Sequence, residues 1–316
     1  VLAIETEDLT KDYDVGFWRK RPRRALDRLT VAVGQGEIFG FLGPNGAGKT
    51  TTMKLLMQLI YPTAGRASIL GLPAGSLALK RRIGYLPEHP YFYDHLTAEE
   101  LLLYFARLFG LSESSTRRAR VSQLLDRVGI GGERKLQLRK YSKGMLQRVG
   151  IAQAILNEPE VVFLDEPMSG LDPLGRRDVR KLILGLRERG CAVFFSSHIL
   201  SDAEALCDRV AVLAGGKLAG EGAIADLVAF DVKGWELVVS NVDAALVGRF
   251  ADRVISVTAV SNGRYALELD RSSSPERLLA ELGACGAKLV SLNPVRETLE
   301  DYFVKRVEAE RVEETR

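Results

Sequence analysis

The chain has 316 residues, 46% hydrophobic and 27% charged, a globular balance that excludes disorder and fibrous repeats as its main character. Its 44 basic and 41 acidic residues leave a formal charge of +3, too small to imply nucleic-acid binding. Cys191, Cys207 and Cys285 have neither an even count nor metal-ligand spacing, which fits a reduced compartment. No run reaches the about 18 apolar residues of a membrane span; the richest stretch, Leu101 to Leu111, is cut by Arg107 and Gly110. Glu5, Glu7 and Asp8 stand where a secretory leader would be basic. Any work at a membrane is therefore expected from the cytoplasmic side, through a partner.

In chain order, the basic run Phe17 to Arg24 comes first and reads as a solvated loop, with anionic headgroups or an acidic partner loop as the alternative. Ile38–Leu42, Val161–Leu164, Ala192–Phe195 and Val210–Leu213 are short apolar runs that predict strands buried on both faces. They alternate with helical patterns, the signature of an α/β fold with a largely parallel sheet. Thr97-Ala-Glu-Glu100 is a capping box that predicts a helix start before Leu101, Leu102, Leu103 and Phe105. An amphipathic helix is expected from Thr116 to Val128 and another from near Ser142. Beyond about residue 228 the pattern becomes β-α-β-β-α-β. Its strands are Trp235–Val239, Val254–Val260, Tyr265–Leu269 and Lys288–Leu292, and its helices Asp243–Ala251 and Pro275–Leu282. That order predicts a ferredoxin-like plan, with Trp235, Val254, Leu267 and Leu289 in a small core. Glu297–Glu314 reads as a charged amphipathic helix.

Gly43, Pro44, Asn45, Gly46, Ala47, Gly48, Lys49 and Thr50 match G-x-x-x-x-G-K-[ST] after the strand Ile38–Leu42. A helix carrying Leu55, Leu56, Leu59 and Ile60 on one side is expected to follow, the context that makes the pattern a phosphate site. Glycines let backbone N–H groups curl toward a phosphate chain, and the helix N-terminus adds positive potential. Lys49 is expected on the β- and γ-phosphates, with the Thr50 hydroxyl on Mg²⁺ and Thr51 beside the nucleotide. The strand Val161–Leu164 ends in Asp165 and Glu166. Ligands of open α/β sheets bind beyond the strands' carboxyl ends, so both acids should face the nucleotide. Asp165 would hold the metal and Glu166 would polarise an attacking water.

With these motifs in order, the sequence resembles the nucleotide-binding subunits of ABC transporters over about residues 3–228. Tyr141-Ser-Lys-Gly-Met145 resembles the family signature, with Lys143 and Met145 as departures, and Ser169-Gly-Leu-Asp172 resembles its D-loop. His198, after Ser196-Ser197, resembles the switch histidine, Tyr13 stands at the adenine-stacking position, and Glu88 replaces the usual Q-loop glutamine. The resemblance implies an α/β P-loop NTPase core with a helical signature subdomain at about residues 90–157. The small α+β, ferredoxin-like domain would span 229–296 and a tail 297–316. It implies ATP and Mg²⁺ as cofactors, with Thr50, Glu88 and Asp165 around the metal. Lys49, Glu166 and His198 would act in hydrolysis, His198 orienting the γ-phosphate and water. Ser142 can N-cap its helix and aim free N–H groups at an anion. The resemblance makes that anion the γ-phosphate of the opposite subunit, with Gly144 and Asp172 at the same contact.

The implied partners are a second such subunit, as a homodimer, and an integral-membrane permease, with no nucleic acid. The place implied is the cytoplasmic face of the cell membrane. Glu88, the Tyr-Ser-Lys-Gly signature and the extension with Leu299-Glu-Asp-Tyr-Phe303 resemble the exporter-type subgroup. A soluble ATPase of the same class acting on ribosomes or DNA is the alternative. It usually carries two nucleotide domains or a long coiled coil, and the 90 residues between Thr50 and Tyr141 leave no room for the latter.

Overall fold

The computed structural model describes residues 1–16, 21–111, 113–227 and 232–296. Two compact units divide the described chain between Ile224 and Ala225. In the first, β1 (Leu2–Val15), β2 (Arg21–Gly34) and β3 (Ile38–Leu42) precede α1 (Lys49–Leu56). Then come β4 (Ala64–Ile69), β5 (Leu72–Pro73), β6 (Ile83–Leu86), α2 (Ala98–Leu108), α3 (Ser114–Arg127) and α4 (Lys143–Ala154). β7 (Val161–Asp165), α5 (Pro173–Arg187), β8 (Ala192–Ser197), α6 (Leu200–Glu204), β9 (Arg209–Ala214) and β10 (Lys217–Ala223) complete it.

Six strands form a sheet in the order β10-β9-β3-β8-β7-β6, parallel except for the antiparallel edge β10. The four apolar runs of the sequence are its central strands, and every residue of β3, β7 and β8 is buried. Phe194 anchors the core, its ring centroid 5.7 Å from Phe39, 5.1 Å from Phe41 and 5.8 Å from Phe163. Full burial of each such ring contributes about 1.5–3 kcal/mol, so these strands are held in one register. That register sets the Asp165 end of β7 beside Ser196 of β8, which assembles the site.

A second sheet, β2-β1-β4-β5, is antiparallel and was not expected from the sequence. Ile4, Leu9, Leu26, Leu29, Val31 and Val33 bury its inner face, but bulges along β1 and β2 break the period-two alternation. Arg21 to Arg24 of the basic run therefore lie in a strand rather than a loop, and Arg24 pairs with Asp12 at 2.9 Å and Asp27 at 3.0 Å. Phe17 to Lys20 fall outside the described residues.

The helix after the phosphate loop is shorter than expected. Gln58 adopts φ 53°, a left-handed stop of the kind that closes helices. Leu59 is consequently 60% exposed instead of sharing the buried side of Leu55 and Leu56. The capping box is present: Thr97 Oγ1 accepts from the Glu100 N–H at 3.2 Å, and Glu100 Oε2 accepts from the Thr97 N–H at 2.9 Å.

A short helix, α7 (Ile224–Leu227), is the last element before residues 228–231, which lie outside the described residues. The second unit contains β11 (Val232–Ser240), α8 (Ala244–Gly248), β12 (Ser256–Ser261), β13 (Arg264–Asp270), α9 (Pro275–Ala284) and β14 (Lys288–Arg296). Its sheet order is β12-β13-β11-β14 with every pair antiparallel, the arrangement of a β-α-β-β-α-β unit. Leu267 is fully buried, and Trp235 and Val254 pack against the core. Leu289 does not join it. Val238 pairs with Ser291 and Val239 with Leu289, so Val290 is an extra residue. This bulge leaves Leu289 and Val290 each 48% exposed while Leu292 takes the core position. The helix expected at Glu297–Glu314 lies outside the described residues.

Candidate functional site

The phosphate loop runs from the end of β3 into α1. Gly48 caps α1 at φ 108°, and a Cβ there would stand 2.7 Å from the Ala25 carbonyl oxygen. Only glycine lets the loop lie this close to β2. Behind it Lys49 is 7% exposed. Its ammonium donates to the carbonyls of Gly43 at 2.6 Å and Pro44 at 3.2 Å, and stands 3.8 Å from Glu166 Oε1. Burial lowers the Lys49 pKa, opposed by the negative charges of Glu166, Asp165 and Glu88.

At the carboxyl end of β7, Asp165 and Glu166 are both buried. Ser196 on the neighbouring strand serves both acids. Its hydroxyl donates to Asp165 Oδ1 at 2.6 Å and accepts the Glu166 N–H at 3.0 Å. Ser196 has no role in the sequence reading; the available signal is the pair of hydroxyls, Ser196-Ser197, that ends an apolar strand. Asp165 Oδ2 is buried without a hydrogen-bond partner. A buried carboxylate oxygen left unpaired is costly, and a bound cation would satisfy it. Glu166 sits at φ 50°, a left-handed backbone uncommon outside glycine. Its carbonyl accepts from the Ser169 N–H at 3.0 Å and from Gln147 Nε2 at 3.3 Å. Its carboxylate Oε2 lies 2.9 Å from Nδ1 of His198, which follows β8.

Lys49, Glu166 and His198 share one cavity of about 290 Å³, lined also by Asn45, Gly46, Gly48, Thr50, Thr51, Glu88, Ser169 and, from β2, Ala25, whereas Asp165 is buried behind its lining. Ala25 carried no sequence signal. Ser142, Gly144 and Asp172 are elsewhere, around a second cavity of about 520 Å³ with Lys143, Met145 and Arg148. Ser142 Oγ accepts from the Met145 N–H at 3.2 Å and caps α4; Asp172 Oδ1 accepts from the Gly175 N–H at 2.8 Å and caps α5. Tyr13 lines neither cavity. It lies on β1, 37% exposed, with the Lys11 ammonium 5.3 Å from its ring centroid. His89 and His95 are exposed. Burial pushes the Cys191 thiol up to about 12 and that of Cys207 well above its usual range, so neither is poised as a nucleophile.

A glycine-cradled lysine at a helix start, facing two acids at the end of a parallel strand two places along the same sheet, defines a P-loop nucleoside triphosphatase. The ABC transporter family model matches residues 26–169. An uncharacterized ABC transporter ATP-binding protein of Synechocystis sp. is 46% identical over 96% of this chain and 84% of its own length. A bacitracin transport ATP-binding protein of Bacillus licheniformis is 38% identical over 96% of this chain and 97% of its own. The solved ATP-binding subunit of an ABC transporter superposes with a TM-score of 0.63 at 34% identity, covering 71% of this chain and 91% of that one. The chain belongs to the ATP-binding subunits of ABC transporters, and it binds and hydrolyses ATP as the ATPase of a transporter. Among the described residues no helix is long and apolar enough to cross a membrane.

Proposed function

We propose that the chain powers an exporter by pairing head to tail with a second copy, so that each ATP lies between the phosphate loop of one subunit and the signature of the other. The observation that carries this is the separation of Lys49, Glu166 and His198 from Ser142, Gly144 and Asp172 into two cavities of one chain. Neither cavity has the full set, and a head-to-tail pair supplies the missing half to each. Tyr13 would stack on the adenine, while Gly43, Pro44, Asn45, Gly46, Ala47, Gly48 and Thr51 surround the phosphates. Thr50, Asp165 and Glu88 would hold Mg²⁺, a fit supported by the unpaired Asp165 Oδ2. That ion neutralises charge on the β- and γ-phosphates when bound. Lys49 leaves the loop carbonyls to meet the same phosphates. Glu166 takes the proton of the attacking water. His198, donating from Nδ1 to Glu166, keeps Nε2 for the γ-phosphate, and protonation turns that nitrogen into a donor.

Closure on ATP and opening after hydrolysis would drive a separate permease from the cytoplasmic face of the membrane. Tyr91 and Tyr93, 94% and 56% exposed beside Glu88, suit a contact with the permease better than packing within the subunit. Their replacement by Ala should uncouple transport and spare the ATPase of the isolated subunit. Export, rather than import, rests on the Glu88 and Tyr141-Ser-Lys-Gly features and on the full-length likeness to the bacitracin transport protein. The C-terminal unit, with a core of its own and none of the site residues, would stabilise the pair.

The deciding experiment compares nucleotide binding, turnover and sedimentation of Glu166→Gln and Lys49→Ala. Glu166→Gln should bind ATP, lose turnover by about 10²–10⁴-fold and accumulate as an ATP-bound dimer. Lys49→Ala should bind nucleotide weakly. Wild-type turnover by Glu166→Gln would refute the assignment of the base.

A further inference from the structure

Two carboxylates and one lysine line the cavity at the phosphate position, with the buried Asp165 carboxylate acting on the same lysine from behind it. Glu88 lines the same cavity as Lys49, Thr50, Glu166 and His198. Together with Glu166 and Asp165 it acts electrostatically on the buried Lys49 ammonium. Among the described residues Glu88 has no lysine or arginine within ion-pair distance; its neighbour is the His89 ring, with Nε2 3.8 Å from Oε1. The cavity therefore carries an excess of negative charge before any nucleotide arrives, and the ligand it must accept is a polyanion. Like charges brought together at a partly desolvated site repel, with solvent screening part of the repulsion at the half-exposed Glu88.

No group of three or more Asp, Glu, His or Cys among the described residues is arranged to hold a metal alone. Mg²⁺ typically completes its shell with substrate phosphates added to one or two carboxylates. Cation and nucleotide thus supply what the other lacks, and the second acid strengthens that dependence. We propose that Glu88 couples nucleotide binding to the divalent cation by its charge, repelling the metal-free triphosphate and favouring its Mg²⁺ complex. A neutral amide at this position would offer the metal an oxygen without the repulsion. The inference rests on the ATP site described under Proposed function and adds a selection between two forms of the ligand.

The test is equilibrium binding of trinitrophenyl-ATP to the full chain, in EDTA and in excess Mg²⁺, for wild type, Glu88→Gln and Glu88→Asp. The side chain of Glu88 is 46% exposed, so both substitutions should leave the fold intact, and circular dichroism checks this. The quantity read is the ratio of the two dissociation constants. Glu88→Gln should shrink the wild-type ratio about tenfold, or ~1.4 kcal/mol, mainly through tighter binding in EDTA. Glu88→Asp, which keeps the charge, should retain most of the wild-type ratio. An unchanged ratio in Glu88→Gln overturns the proposal. So does an equal loss in both variants confined to the Mg²⁺ arm, which would make Glu88 a contact defined by shape. If wild type binds no trinitrophenyl-ATP in either arm, the ATP-site reading itself fails; normal wild-type coupling with an unresponsive Glu88→Gln refutes only the charge role.

Discussion

His198 Nδ1 stands 2.9 Å from Glu166 Oε2, while Glu166 Oε1 stands 3.8 Å from the Lys49 ammonium. One carboxylate thus touches both the side chain assigned to the γ-phosphate and the lysine that must reach it. In this arrangement Lys49 is folded back onto the carbonyls of its own loop, so nucleotide has to draw it away. The left-handed Glu166 backbone is held by Ser196, Ser169 and Gln147, which keeps the carboxylate aimed while its partners change.

Replacing His198 by Ala should lower turnover at least about tenfold (~1.4 kcal/mol) while nucleotide affinity changes little. Single-turnover hydrolysis with bound ATP measures this. An unaltered single-turnover rate would leave the Glu166–His198 contact without a catalytic consequence.

Sharing of each site between two chains makes a mixing experiment decisive. Ser142→Arg blocks the contact with the partner's phosphate, and Lys49→Ala disables the phosphate loop. Each variant alone should be inactive, whereas a mixture forms dimers that contain one complete site. Recovered ATPase in the mixture is the expected outcome, and additive inactivity would argue for sites that close within one chain.

Asp202, 1% exposed, accepts from Arg180 at 2.6 Å and joins α5, capped by Asp172, to α6 just beyond His198. Its Oδ2 lacks a hydrogen-bond partner and lies 3.9 Å from Arg176. Asp202→Ala should cost about 2–3 kcal/mol, less than a wholly buried pair because the Arg180 side chain is 35% exposed. Combining Arg180→Met with Asp202→Leu should recover much of that stability. Urea unfolding of the singles and the double mutant measures both effects.

Thr97→Ala removes the α2 cap and should destabilise the fold by about 1 kcal/mol. The Glu100 carboxyl is held below its usual range, first by the Thr97 N–H and then by the Thr97 hydroxyl. A depressed carboxyl contributes stability that is present above its unfolded pKa and lost as pH falls through its folded pKa. The cost of Thr97→Ala should therefore shrink on going from pH ~7 to pH ~3. Urea midpoints of both proteins across that range test the sign.

Four strands of the parallel sheet, β3, β7, β8 and β9, were legible because full burial leaves unbroken apolar runs, and α2 and α4 because their caps leave short local signatures, whereas the short edge strand β6 and the helix α5 were not read. The β1–β2 hairpin was not, since its bulges interrupt the alternation that marks a strand. The same limit placed Leu289 in the core: one extra residue, Val290, reverses which side chain faces inward. Leu59 followed helical periodicity until the left-handed turn at Gln58 ended the helix.

By itself the sequence determined the phosphate loop, the two acids after Leu164, the capped helix at Ser142 and the β-α-β-β-α-β order beyond residue 228. Each is written in contiguous residues, where chain spacing alone limits the geometry. Only the tertiary structure decided that Ser196 positions both acids, that His198 contacts Glu166, and that Lys49 rests on its own loop. It alone separated Ser142, Gly144 and Asp172 from the cavity of Lys49. These relationships join strands and helices far apart in sequence, so they come into being only when buried apolar side chains lock the sheet register.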